Sequence, residues 1–392
     1  MFQLFETNAN YWKHTLIAGI FFGFSILSKG PISLYALLLP FLLAYGFSYK
    51  YKNLKTKAFS MFSFIIIALL VGGWWYLYVR LEDPITFTEI TSKETGNWGS
   101  YNVRPFYYYW SFFTQSGLWT IPAFVALLYP YMKSRASNLK AYRFSFYWTI
   151  FAVILLSIIP EKKSRYLMPV LIPMAINTGF YIEYLLRRFK DLKDKKETIP
   201  VYFNFGLIAC IGILFPLAGF RVSTFLTGEI LWWFLLASAL LVTIGILMFY
   251  NLKRKRLKQV FYLSIAFMVA ALVSVLPLSK IQGTSSYNSI SNLKSQLEKE
   301  NLSIYSLNEI APEMIWQYGG KIPDINTDSG YDFPKESKFA LLSKELDNNQ
   351  LKSFQSTYNI EKKEVFDLNR KAEDERGHKK RLISQLYFFT KK

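Results

Sequence analysis

From residue 15 to residue 278 the chain alternates long apolar runs with short polar breaks. A helix that crosses a bilayer needs about 17–25 mostly apolar residues. Runs of that kind lie at 32–49, 57–80, 106–131, 144–160, 166–186, 201–220, 230–250 and 259–278, with a shorter one at 15–28. The pattern predicts about nine transmembrane helices. Gly30 and Pro31 interrupt the first pair, so 15–49 reads as two helices meeting at an abrupt break. Between 81 and 105 lies a polar stretch too long for a minimal connection. It opens on Asp83-Pro84, a capping residue followed by proline at the first helical position.

After residue 280 the pattern changes. Residues 288–300, 311–318 and 347–355 have helical spacing, whereas 302–307, 338–343 and 384–390 read as short strands. The reading is an all-α polytopic membrane domain over 1–280 and a small α/β domain over 281–392.

Composition narrows the class. Of 392 residues, 52% are apolar and 18% aromatic, more greasy surface than a soluble chain can cover. The formal charge is +19, and the basic residues sit in clusters between the apolar runs. That placement marks a topology signal rather than a nucleic-acid surface. The loops fall into two alternating sets. Loops 50–57, 132–143, 187–196 and 251–258 carry 19 Lys and Arg; loops 29–31, 80–104, 161–165 and 220–229 carry 8. The positive-inside rule puts the first set in the cytoplasm. It follows that Lys29, the 81–105 stretch, residues 160–165 and the C-terminal domain face outward. The single cysteine, Cys210, excludes a disulfide framework, and two histidines supply His-based zinc sites and Ser-His-Asp triads poorly. Oxygen-rich loops are compatible with a divalent ion, but no ligand spacing demands one.

Candidate chemistry gathers on the outward side. The run Pro160-Glu161-Lys162-Lys163-Ser164-Arg165-Tyr166 sets three cations where the topology rule disfavours them. Two readings stay open: long side chains snorkelling to headgroups, or a phosphate site in which Lys gives point charge and Arg a two-pronged donor. Lys29 either bonds carbonyls freed by the Gly-Pro break or touches a ligand. Asp83 is first a helix cap, and Glu89 and Glu94 are first solvated carboxylates. Arg104 precedes Pro105 and the row Phe106-Tyr107-Tyr108-Tyr109-Trp110. Those rings, like Trp74-Trp75, read as an interfacial belt or as faces for stacking on a sugar.

Four stretches resemble one family. Phe24-Ser-Ile-Leu-Ser-Lys29-Gly30-Pro31 is similar to its helix ending in (T/S)KGP. Gly73-Trp74-Trp75-Tyr76 followed by Asp83-Pro84 is similar to its PWY…NP stretch, with Gly73 where proline is usual. Ser157-Ile-Ile-Pro160-Glu-Lys162-Lys163-Ser-Arg165-Tyr166-Leu167-Met168-Pro169 resembles its S-x-x-K-x-x-R-Y-L-L-P motif, the most specific of the four. Ile304-Tyr-Ser-Leu…Pro312-Glu-Met-Ile-Trp-Gln-Tyr318-Gly-Gly resembles the opening of its outer domain. The family is that of GT-C fold membrane glycosyltransferases of the aminoarabinose transferase and dolichyl-phosphate-mannose-protein mannosyltransferase type.

The resemblance implies a transferase in the inner membrane of a bacterium, taking a sugar from a polyprenyl-phosphate carrier and passing it to a lipid or protein acceptor at the outer face. Lys162, Lys163, Arg165 and Lys29 are then the expected phosphate-binding residues, with Arg104 and Tyr166 as substrate and loop contacts. The family's catalytic acid lies in a first outer loop, and Glu6, the nearest carboxylate to the N-terminus, falls on the cytoplasmic side. The chain is therefore expected to lack the family's N-terminal part, with its own activity open. Asp83 and Glu94 are weak candidates for the acid. Two other classes stand beside the transferase: a transporter or flippase for a lipid-linked anion, and a non-catalytic binding subunit. Paired repeats with broken helices would favour the transporter; one break, at Gly30-Pro31, and no repeat are visible.

Overall fold

The structure is a computed structural model spanning the 392 residues. It describes all but residues 8–10, 31, 53, 223–227, 282–285, 309 and 328–329, and the side chains of residues 29, 98, 221–222 and 279–281. Two compact units divide the chain: 1–223 with 234–273, and 224–233 with 274–392.

The first unit is helical. Its opening turn, α1 (Phe2–Glu6), is held by the buried Lys57, whose ammonium donates at 2.9 Å to the carbonyls of Leu4, Phe5 and Thr7. A cation at a helix C-terminus satisfies carbonyls that have no partner within the helix. α2 (Tyr11–Lys29) is followed by a π-helical turn at Leu34–Leu38 and by α3 (Leu39–Tyr49). α4 (Ala58–Glu82) then returns parallel to α2. Thr15 hydrogen-bonds Ser60, Gly19 meets Ile67 and Gly23 meets Val71. The approach is tight because the facing residues are small. A Cβ on Gly23 would lie 2.6 Å from the Val71 Cβ, and one on Gly72 would lie 2.8 Å from the Ile26 Cβ. Small residues at such crossings let helix backbones close in where lipid provides no hydrophobic drive.

The stretch after α4 is not an open loop. α5 (Pro84–Ser100) fills most of it, with Asp83 as the cap: its Oδ1 accepts the Thr86 N–H at 3.1 Å, and Pro84 opens the helix. The single span expected over 106–131 is likewise replaced. Its chain makes 3₁₀ turns at Phe106–Tyr109 and Phe112–Trp119, then α6 (Thr120–Ala126) and α7 (Tyr129–Met132). Gly117, at φ 58°, and Pro105, Pro122 and Pro130 interrupt the apolar run. α6 buries Pro122, Ala123, Val125 and Ala126 against protein.

Apart from one turn, the helices that follow are longer. They are α8 (Leu139–Ile158), α9 (Leu171–Arg188), α10 (Lys195–Leu214), the turn α11 (Gly219–Val222), α12 (Gly228–Lys253) and α13 (Leu257–Val275). Among the described residues, six helical stretches are long and apolar enough to cross a membrane, beginning at residues 58, 139, 164, 195, 228 and 257; Leu34–Tyr49 is shorter. Large apolar side chains stand exposed along them, as Leu70 and Leu77 do on α4, and such faces need lipid or another partner.

The second unit ends in an α/β domain. α14 (Leu293–Lys299), β1 (Ile304–Leu307), α15 (Pro312–Tyr318), the small pair β2 (Asn326–Thr327) and β3 (Gly330–Tyr331), β4 (Lys338–Ser343), α16 (Asn348–Gln355), β5 (Tyr358–Asp367) and β6 (Ile383–Lys391) follow in order. The main sheet runs β1-β4-β6-β5, with β1 and β4 parallel and the other pairs antiparallel. Central β4, KFALLS, is buried on both faces and therefore reads as a continuous apolar run. Ala340, Leu342 and Leu386 face the core under α14 and α15, while Phe339, Leu341 and Phe389 face the one under α16.

Candidate active site

The site begins where α2 stops. Gly30 takes φ 60°, a left-handed turn that suits glycine, and its N–H reaches the Ile26 carbonyl at 2.7 Å. Ser33 fastens the break: its hydroxyl donates to the Ser25 carbonyl at 2.7 Å and accepts from the Ser25 hydroxyl at 2.9 Å. A Cβ on Gly30 would stand 3.1 Å from the Tyr76 hydroxyl, so α4 closes directly over this turn.

Two loops distant in sequence pair beside it. Val103 bridges Glu161 in antiparallel fashion. The Arg104 N–H donates to the Pro160 carbonyl at 3.3 Å, and the Lys162 N–H donates to the Asn102 carbonyl at 3.1 Å. Beneath them Tyr109, fully buried, bonds the Lys163 backbone through its hydroxyl. Leu156, Tyr166, Val170 and Met174 pack with it in one apolar core. The ring row expected as a belt thus divides: Phe106, Tyr107, Tyr108 and Trp110 are exposed, and Tyr109 is structural.

These elements enclose a cavity of about 750 Å³. Ser28 and Gly30, Tyr35, Trp75 and Tyr76 of α4, Glu94 of α5, Glu161 and Tyr166 line it. An apolar pocket of about 510 Å³ shares Gly30 and Tyr76 with it and is otherwise walled by residues such as Ile26, Leu34, Phe64 and Leu69.

The three cations of the 160–166 run have different fates. Lys162 is buried, and its ammonium donates to the Ile159 carbonyl at 2.6 Å; burial holds it below the usual lysine range. Lys163 lies 2.5 Å from Glu161 Oε1, and this partner raises its pKa above the ordinary value. Its ammonium also stands over the Tyr101 and Tyr166 rings at 5.4 and 5.8 Å. Arg165 is exposed and, among the described residues, its guanidinium makes no hydrogen bond or ion pair. The Arg104 guanidinium is in the same position, although its backbone is tied to Pro160.

Of the other sequence candidates, Glu94 faces the cavity and Asp83 caps α5 away from the lining. Lys29 ends α2, and its side chain lies outside the described residues. Glu161 and Tyr35 were not singled out from sequence. Glu161 was concealed as the one acid in a basic run, and Tyr35 as one more ring in an apolar helix. Among the described residues no three His, Cys, Asp or Glu side chains gather as a metal site.

No family model and no curated protein matches the chain. Among solved structures it is similar to the crystal structure of ArnT from Cupriavidus metallidurans bound to undecaprenyl phosphate. There the TM-score is 0.54 at 14% identity, covering 98% of this chain and 70% of that one. Against the apo state of the same ArnT the TM-score is 0.58 at 11% identity, covering 99% and 71%. The chain has the GT-C fold of ArnT. The likeness to ArnT runs through both the helical body and the terminal sheet. Of the four stretches that resemble the transferase family, three meet at the cavity of this ArnT-like fold: Gly30, the Trp75-Tyr76 pair, and Glu161 with Tyr166.

Proposed function

We propose that this chain is a membrane glycosyltransferase that takes a sugar from a polyprenyl-phosphate carrier and passes it to a lipid or protein acceptor at the outer membrane face. The observation that carries the reading is the convergence of three family-like stretches on one 750 Å³ chamber, in a fold shared with a protein crystallised with undecaprenyl phosphate. Ring faces from Trp75, Tyr76, Tyr35 and Tyr166 suit the apolar faces of a sugar, and the adjoining apolar pocket suits a prenyl chain.

Arg165 carries most of the carrier's phosphate. Its planar fork is uncommitted, whereas Lys163 shares its charge with Glu161 and Lys162 with loop carbonyls. Lys29 and Arg104 complete the cationic set, and Tyr166 contacts the sugar. Residues 1–280 lie in a bacterial inner membrane with the basic loops inside, and 281–392 lie outside.

The test is binding of undecaprenyl phosphate to the full chain in lipid nanodiscs. Arg165→Lys keeps the charge and loses the fork, so affinity falls about tenfold while yield and insertion stay normal. Parent-like affinity in both Arg165→Lys and Arg165→Ala removes Arg165 from the site. A parent that does not bind the carrier overturns the function.

A further inference from the structure

We infer that Glu161 is the base for an alcohol acceptor, taking the proton of a hydroxyl bound in the cavity. The inference rests on the transferase reading above and adds to it a carboxylate base and the chemical class of the acceptor.

Two carboxylates line the chamber among the described residues, Glu94 and Glu161. Glu94 stands exposed on α5, whereas Glu161 is 4% exposed and fixed from several sides. Its backbone bridges Val103, and its Oε1 lies 2.5 Å from the Lys163 ammonium. That Oε1 is buried and accepts no hydrogen bond among the described residues. A buried carboxylate kept only for structure would have both oxygens satisfied. Here the Lys163 charge holds the group, and its hydrogen-bonding capacity is left for a ligand. Among the described residues, the titratable groups beside it or sharing the chamber with it are Lys163 and Tyr166 from its own segment, Tyr35 from the π-helical turn, Tyr76 from α4 and Glu94 from α5. Lys163 is the one cation in that set, and it is already committed to Glu161.

This arrangement selects the acceptor. An anionic acceptor would meet the carboxylate of Glu94 in the same chamber, whereas a hydroxyl donates to the Glu161 carboxylate and is polarised by it. In the step, the acceptor oxygen forms a bond to the sugar's anomeric carbon while the bond from that carbon to the phosphate oxygen breaks. The hydroxyl proton passes to Glu161 and from there to solvent. The polyprenyl phosphate leaves with the bonding pair. A positioned general base of this kind contributes about 10²–10⁴ in rate.

The experiment uses the full chain in nanodiscs with undecaprenyl phosphate bearing glucose, galactose, mannose or arabinose. Water, n-octanol and octyl phosphate serve as acceptors, and released sugar, octyl glycoside and undecaprenyl phosphate are measured. The parent is expected to use water and octanol in preference to octyl phosphate. Glu161→Gln should lower both rates by about 10²–10⁴. Carrier affinity should stay at the parent value, and formate should restore part of the rate to Glu161→Ala, which separates lost chemistry from lost folding. Parent-like rates in Glu161→Gln overturn the inference, as does a preference for octyl phosphate. So does a parent that binds the carrier and turns over none of the four sugars. A parent that fails to bind undecaprenyl phosphate instead overturns the transferase reading beneath it.

Discussion

Tyr109 grips Lys163 by its backbone, its hydroxyl accepting the Lys163 N–H at 2.9 Å and donating to the Lys163 carbonyl at 3.0 Å. The ring sits in the apolar core, so the 160–166 segment is pinned from below at the residue whose side chain holds Glu161. Tyr109→Phe keeps the packing and strands an N–H and a carbonyl. A loss of about 1–3 kcal/mol in unfolding stability is expected, measured by denaturant titration in detergent. Carrier affinity should fall with it. Unchanged stability would mean that the loop holds its shape without the hydroxyl.

Lys162 is expected to act on stability rather than on binding. Its ammonium is tied to the Ile159 carbonyl inside the protein and is not free to meet a ligand. Lys162→Met should destabilise the chain while leaving undecaprenyl phosphate affinity within about twofold of the parent. A larger affinity loss than that of Arg165→Ala would reverse the two roles.

Neighbouring glycines on α4 should respond in opposite ways to alanine. A Cβ on Gly72 meets Ile26 and the Gly23 carbonyl, whereas one on Gly73 meets nothing within 4 Å. Gly72→Ala should therefore wedge α4 away from α2, at a cost of about 1–3 kcal/mol for overpacking. Gly73→Ala should be neutral or stabilise by about 0.5–1 kcal/mol through helix propensity. Thermal melts of the two variants decide it.

The proposed topology rests on the 19-to-8 division of basic residues among the loops. In intact cells an impermeant thiol reagent should label Asn326→Cys and spare Lys255→Cys. The reverse pattern would invert the protein and put the proposed chemistry on the inner face.

Much of this fold is legible in the chain because one physical signal dominates each part. Apolar length marks the six long helical stretches, and buried runs such as KFALLS mark the strands. Asp83-Pro84 announces the start of α5 through cap chemistry alone. The body of α5 is hidden, since PITFTEITSKETGNWGS has neither apolar periodicity nor strong helix formers. Strand β5, YNIEKKEVFD, is missed because it lies at the sheet edge, where charges face water and the alternation is weak. The 106–131 run has the composition of a span, and its glycine and prolines weigh little in a hydropathy reading. Glu161 is the largest omission. A carboxylate beside lysines reads as surface, and its burial becomes intelligible only once Val103 and Lys163 are found around it.

The attachment of α5 has a mechanical meaning. One non-helical residue, Asp83, joins it to α4, and Ser100 ends it two residues before Asn102 is bonded to the Lys162 N–H. The helix has slack at neither end. It behaves as a plank hinged at Asp83 and clamped at the far side to the strip that carries Glu161. Any swing that opens the chamber through α5 must pull on that strip. Admission of a ligand and placement of the carboxylate are thus coupled through the backbone, and a looser joint at Asp83 would uncouple them without touching a single lining residue.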